Sequence, residues 1–173
     1  MKKILKYSGI CSLLLAAVAF VLMLATPAVV AKSGSTSINF GGALAIFGGN
    51  IDNYQKLYLL ADTAKGAPLA LIAWILALIG LLIVCTGVIL PLLKVKALDK
   101  FAGVLNLIAV ASFVLAGVFS FIVVPSFFTA NGFDKVPDSA AIGGGWVIGG
   151  IVYIVAGAVA ICPAVADFLA KKK

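Results

Sequence analysis

Four long apolar runs, at about residues 4–31, 68–93, 101–124 and 146–169, take up most of this 173-residue chain. Each exceeds the roughly 20 residues that a helix needs to cross about 30 Å of hydrocarbon. Lipid offers no water to bond backbone amides, so a crossing segment must satisfy them internally, and a helix does so. Strand-like stretches such as Phe121-Ile122-Val123-Val124 do not outweigh that requirement. The runs predict an all-α integral membrane protein. Its architecture is an antiparallel four-helix transmembrane bundle, one four-span domain over 1–173, with an outer loop at 32–67, an inner loop at 94–100 and a second outer loop at 125–145.

Composition agrees. The chain is 64% hydrophobic and 11% charged, with a mean hydropathy of +1.23, and a soluble domain of this size could not hide that much apolar surface. Histidine, arginine and glutamate are absent; every cation is a lysine and every acid an aspartate. Imidazole, guanidinium fork and glutamate base are thereby removed. The sequence also contains no nucleophile–base pair, no metal-ligand cluster and no N-x-[ST] acceptor. Gly143-Gly144-Gly145 and Gly149-Gly150 precede no GK[ST] and open a hydrophobic helix, so they read as loop flexibility and close packing. No enzymatic activity, cofactor or metal is expected. The formal net charge of +7 comes from lysines flanking the runs, which fits topology signals and anionic lipid at the inner face, and no nucleic acid.

Those lysines orient the chain. With the N-terminus inside, nine are cytoplasmic (Lys2, Lys3, Lys6, Lys94, Lys96, Lys100, Lys171, Lys172, Lys173) and four outside (Lys32, Lys56, Lys65, Lys135). The excess of inside positive charge puts both termini in the cytoplasm, and the plasma membrane is the expected location. Trp74, Trp146, Tyr54, Tyr58, Phe127 and Phe128 fall near the outer interface, where such rings favour the headgroup level. Val29-Val30-Ala31 resembles a signal-peptide cleavage site. The apolar stretch before it is about 20 residues long, against 7–15 for a signal core, so retention of the first span is expected.

The loop at 32–67 is too apolar for a flexible linker. Residues 36–40, Gly41-Gly42 and 43–47 read as a β-hairpin, with the glycines supplying the positive φ of a tight turn; an irregular Gly-rich loop is the alternative. That register puts Ile38, Phe40, Ala43, Ala45 and Phe47 on one face. Asp52 with Gln55 three residues on has the form of a capping box, and Tyr54, Leu57, Tyr58 and Ala61 follow helical spacing. This predicts a short helix with its apolar face near the membrane surface, or an outward extension of the second span. The candidate interaction residues are Ile38, Phe40, Phe47, Tyr54, Leu57 and Tyr58, for a protein partner or a second copy; packing between the outer loops is the competing role for each.

Within the spans, small residues recur at helical spacing: Ser8, Ser12 and Ala16; Ala73, Ala77 and Gly80; Ser112, Ala116 and Ser120; Gly145, Gly149, Ala156 and Ala160. Such spacing allows close helix approach in lipid, inside the bundle or between copies. Cys11, Cys85, Asn106 and Cys162 fall at similar depth by a count of about 1.5 Å per residue, a polar layer of small packing side chains or of a metal or redox site. Asp167 is the one acid in a span and lies near its inner end, which argues against proton coupling. Pro27, Pro91, Pro125 and Pro163 lie toward span ends, where proline kinks or stops a helix; Pro163 predicts a kink in span four.

The inside termini, long first outer loop, short inner loop and shorter second outer loop resemble the topology of the claudin and tetraspan superfamilies. Residues 32–67 contain neither the tryptophan nor the cysteines of the claudin first-loop signature, so no residue role is carried over. The expected function is a non-enzymatic structural or interaction role through the folded first outer loop. The alternative is a small channel, transporter or accessory subunit of a membrane complex.

Overall fold

The structure, a computed structural model, describes residues 2–92 and 102–170. The expected inner loop at 94–100 and Lys171–Lys173 lie outside the described residues, as do the side chains of Lys2, Lys3, Lys6, Pro91, Pro163 and Asp167. In chain order the elements are α1 (Lys2–Ala25), β1 (Pro27–Ser33), β2 (Thr36–Gly41), α2 (Gly42–Phe47), β3 (Gly49–Asn50), α3 (Asn53–Leu59), β4 (Thr63–Ala64), α4 (Pro68–Leu92), α5 (Ala102–Phe121), α6 (Val123–Ala130), β5 (Ala140–Ile142) and α7 (Gly144–Ala170). The chain is mostly helical, and α1, α4, α5 and α7 are long and apolar enough to span a membrane.

These four helices pack α5 on α7, α7 on α1, α4 on α5 and α1 on α4. Their facing sides carry small residues: Ser12, Ala16, Ala77, Ala116, Ser120 and Ala156 are buried. Leu14, Val21, Ile75, Ile79, Leu115 and Ile151 point outward. All the small residues singled out at helical spacing are buried except Ser8 and Gly145, which are half-buried. Backbones meet closely between α5 and α7, where a β-carbon on Gly117 would lie 2.7 Å from Gly150 O. Ser12 Oγ donates to Ala156 O at 2.9 Å, tying α1 to α7. Phe113 and Tyr153, both fully buried, stack with centroids 6.1 Å apart.

The sequence pattern carries the first span to residue 31, whereas α1 ends at Ala25. Proline disfavours helical backbone at the preceding residue; α1 stops before Thr26 and Pro27, and the apolar residues that follow form β1. The carbonyls at this stop are claimed from elsewhere: Trp146 Nε1 donates to Met23 O, in the last turn of α1, at 2.9 Å, and Gly42 N to Thr26 O, just after it, at 2.8 Å. Pro125 acts similarly at the end of the third span. Its ring cannot sit above the carbonyl four residues earlier in a continuing helix. α5 accordingly stops at Phe121, and Pro125 falls in the first turn of α6, where its missing N–H loses no bond.

The hairpin exists, but not where the sequence reading puts it. β1 pairs antiparallel with β2, from Val29↔Phe40 to Ser33↔Thr36, around a turn containing Gly34 at φ +60°. Residues 42–47 are helical, not a second strand, so Ile38, Phe40 and Ala45 are buried while Ala43 and Phe47 are exposed. Gly42 is needed for space rather than for a turn, since a β-carbon there would collide with Met23 O and Trp146 Nε1. β5 joins the far side of β1 through Val29↔Ile142 and Ala31↔Ala140. One three-stranded sheet, in the order β2-β1-β5, thus unites the loop after α1 with the loop before α7. Val29-Val30-Ala31 is the middle of its central strand.

Candidate interaction surface

Residues 26–67 and 122–143 together form a cap on the four long helices, with an aromatic core. Phe40 of β2 sits 5.0 Å from Phe127 of α6 between ring centroids, Phe127 lies 5.7 Å from Phe128, and Phe128 lies 5.2 Å from Phe133. Ser126 Oγ accepts from Leu69 N at 3.2 Å, satisfying a free amide in the first turn of α4. The Asn131 side chain holds the backbone of Lys65 from both sides: Oδ1 accepts from its N–H at 2.8 Å and Nδ2 donates to its carbonyl at 3.0 Å.

On this base stands α3, held by hydrogen bonds at its start. Gln55 N donates to Asp52 Oδ1 at 2.8 Å and Asp52 N to Gln55 Oε1 at 3.0 Å, completing the expected capping box. Gln55 also turns its Nε2 inward to donate to Asn39 O at 2.5 Å. Tyr58 packs on Phe40 and Phe128, with its hydroxyl 3.2 Å from Ser139 Oγ. The inward face of α3 is therefore Gln55, Leu59 and part of Tyr58, not the apolar line Tyr54–Leu57–Tyr58–Ala61 that spacing picks out. A polar residue is drawn inward because the edge of β2 offers it a carbonyl.

That turn of the helix leaves apolar side chains outside. Tyr54 is 71% exposed, Leu57 82% and Leu60 89%. Leu60 ends the helix in the left-handed region at φ +52°, a conformation a branched side chain rarely takes. Lys56, Leu57, Leu60, Ala61 and Asp62 line a shallow open depression. Lys56 Nζ lies 3.5 Å from Asp62 Oδ1 across it, an exposed pair that adds little stability.

The six interaction candidates separate. Ile38 and Phe40 are buried in the cap core, and Tyr58 is half-buried against Phe40. Tyr54 and Leu57 stand on the exposed face of α3. Phe47 is exposed elsewhere, edge-on to Trp74 of α4 with centroids 5.2 Å apart. Leu60 is the member that spacing missed; only the left-handed turn after α3 brings it to the surface. Of the aromatics expected near the outer interface, Trp146, Phe127 and Phe128 are fully or almost fully buried within the protein.

Cys11 and Cys162 are exposed and Cys85 is half-buried. Among the described residues no three His, Cys, Asp or Glu side chains gather closely enough to hold a metal. Asn106 faces α4, where a β-carbon on Gly87 would lie 3.8 Å from its Oδ1. No protein-family model matches the chain, and no curated protein is significantly similar to it.

Proposed function

We propose that this chain is a non-enzymatic, multi-pass protein of the plasma membrane, with a cap that presents the Tyr54–Leu57–Leu60 face to a protein partner or a second copy. In this reading α1, α4, α5 and α7 form an antiparallel transmembrane bundle with both termini cytoplasmic and the cap outside. Support for the membrane comes from the inverted packing of the four helices, small residues within and large aliphatics without, since lipid accepts exposed leucine and isoleucine that water would not. Support for the orientation comes from charge. The cap holds four lysines and four aspartates (Lys32, Lys56, Lys65, Lys135; Asp52, Asp62, Asp134, Asp138), so the whole net charge of +7 belongs to the opposite side of the chain's topology.

The observation that carries the interaction role is a helix of seven residues, fixed by a capping box and an inward glutamine, with two of its apolar side chains and the leucine that follows it facing out. A helix that only completed the cap would turn those side chains inward. The conduit reading has less support, because Phe113 and Tyr153 stack in the buried interior and Gly117 meets Gly150 without room between them.

A photo-crosslinking amino acid at Leu57, in cells expressing the full chain, tests the role. A discrete adduct is expected from Leu57 and none from Lys32, which is exposed on β1. Twice the chain mass identifies a second copy, and any other mass a different partner. Equal, diffuse labelling at both positions rejects the reading. Orientation is tested separately by an impermeant maleimide on a cysteine placed at Ser35 in a background lacking the native cysteines; labelling of intact cells is expected.

A further inference from the structure

Of the five asparagines in the chain, Asn131 alone precedes a glycine; the others precede Phe40, Ile51, Tyr54 and Leu107. In an Asn-Gly pair the glycine has no β-carbon, so its backbone nitrogen can approach the asparagine side-chain amide, an approach that a bulky neighbour hinders. Asn131 caps the end of α6. Gly132 follows in the left-handed region at φ +87°, exposed, with open space where a β-carbon would lie. Asn131 is also the residue that ties the connection between α3 and α4 to α6. Its Oδ1 accepts from Lys65 N at 2.8 Å, and its Nδ2 donates to Lys65 O at 3.0 Å and to Phe127 O at 2.8 Å.

These contacts hold the reactive groups apart. At ψ 14° for Asn131 the Gly132 nitrogen is nearly eclipsed with Asn131 N, whereas closing a five-membered ring requires it to be eclipsed with Cβ. The Gly132 N–H is itself donated to Thr129 O at 3.1 Å. Attack therefore requires that Asn131 first release Lys65 and Phe127 and turn. The product of that attack cannot take the same place. A carboxylate only accepts hydrogen bonds, so at the position of Nδ2 it would set a negative oxygen against two carbonyl oxygens. In an isoaspartate the main chain runs through the side-chain carboxyl carbon, which adds one carbon to the backbone and moves the remaining carboxylate away.

We propose that Asn131–Gly132 is a deamidation site guarded by its own clamp, and that modification leaves the Lys65 connection untied. Gly132 N bonds to Asn131 Cγ and the Cγ–Nδ2 bond breaks. The displaced nitrogen takes up the proton that Gly132 N gives up and leaves as ammonia. Water then opens the succinimide to aspartate or isoaspartate. The sum is amide plus water to carboxylic acid plus ammonia, with no oxidant or reductant. The test follows three samples at mildly alkaline pH by peptide mass spectrometry: the full-length chain in mild detergent, the same chain unfolded in guanidinium, and folded Lys65→Pro, which deletes one donor of the clamp. In the unfolded chain Asn131 is expected to convert ahead of the other four asparagines. In the folded chain it is expected to convert about a hundredfold more slowly, the size of three neutral hydrogen bonds opened together. Lys65→Pro is expected to convert about fivefold faster than the folded wild type, the size of one such bond. Hydrogen exchange in β1 and β2 checks that the variant is folded; if it is not, the ratio of unfolded to folded wild type decides. Equal rates in the folded and unfolded wild type, equal rates in wild type and folded Lys65→Pro, or another asparagine reacting first in the unfolded chain overturns the proposal. The converted chain, separated by its added negative charge, is expected to show faster amide exchange over residues 65–67, and unchanged protection there overturns the untying.

Discussion

The cap and the four long helices bury different mixtures of side chain. In the cap three phenyl rings, Phe40, Phe127 and Phe128, are inside while Lys32, Asp62 and Asp134 are outside. Along the helices most of the buried positions are alanine, glycine or serine, with Met23, Phe113, Trp146 and Tyr153 as the large exceptions, and most of the exposed ones are leucine, isoleucine or valine. Water rewards burying large apolar surface. Lipid gives no such reward, so helices there gain from close backbone approach, which small residues permit. The proposed boundary between the two solvents falls where the cap grips the helix ends, at Met23, Thr26, Gly42 and Trp146.

The sharpest way to break that contrast is to shorten one large side chain in each region. Phe40→Ala empties the centre of the cap, and a loss of about 3–5 kcal/mol is expected. Ile79→Ala removes an exposed aliphatic chain from α4, where a change within about 0.5 kcal/mol is expected. Thermal unfolding of both variants in the same detergent gives the answer. Equal losses would mean that Ile79 is packed against something, and the inverted arrangement of the helices would fall with it.

The complementary change enlarges a small residue. Gly117→Leu drives a side chain into Gly150 O and Ile154 of α7. Overpacking costs about 1–3 kcal/mol, and the upper end is expected here because the backbone carbonyl has no rotamer through which to yield. The readout is the fraction of the variant that stays monodisperse on gel filtration after a heat step. Leucine at neighbouring Val118, which is exposed, is expected to leave that fraction unchanged. If Gly117→Leu is equally harmless, the α5–α7 contact is looser than its geometry implies.

What the sequence made legible follows from range. The four long helices announce themselves by length and hydropathy alone. The Asp52–Gln55 capping box is a contact three residues apart, and it forms as expected. The sheet is another matter. Its strand β5 is three residues long and pairs with β1 more than a hundred positions away, and nothing in Ala140-Ala141-Ile142 marks it. Glycine misled for a different reason: Gly34 serves a positive φ and Gly42 serves a close approach, yet a sequence shows both as the same letter, and Gly41-Gly42 looked like the better turn. Tyr54 and Leu57 were found by helical spacing. Ile38 and Phe40 were chosen by the same apolarity, which cannot distinguish a core from a contact surface until the partner strand is known.

Two smaller effects separate the scaffold of α3 from its outer face. Asp52→Ala removes the side chain that accepts from Gln55 N, and a loss of about 1 kcal/mol is expected, concentrated in α3. Hydrogen exchange should show Lys56 and Leu57 amides exchanging faster while β1 and β2 keep their protection. Leu57→Asp is expected to do the reverse. Leu57 makes little of the fold, being 82% exposed, so stability should change by no more than about 0.5 kcal/mol and α3 should exchange as before. Yet a carboxylate there would have to be desolvated at any apolar contact, so the adduct formed by a photo-crosslinker at neighbouring Leu60 should disappear. Persistence of that adduct with the aspartate in place would remove Leu57 from the contact; loss of both adduct and protection would make it part of the scaffold after all. Only an intact α3 without the adduct keeps the two faces distinct, one polar residue turned in to hold the helix and an apolar edge left outside to meet something else.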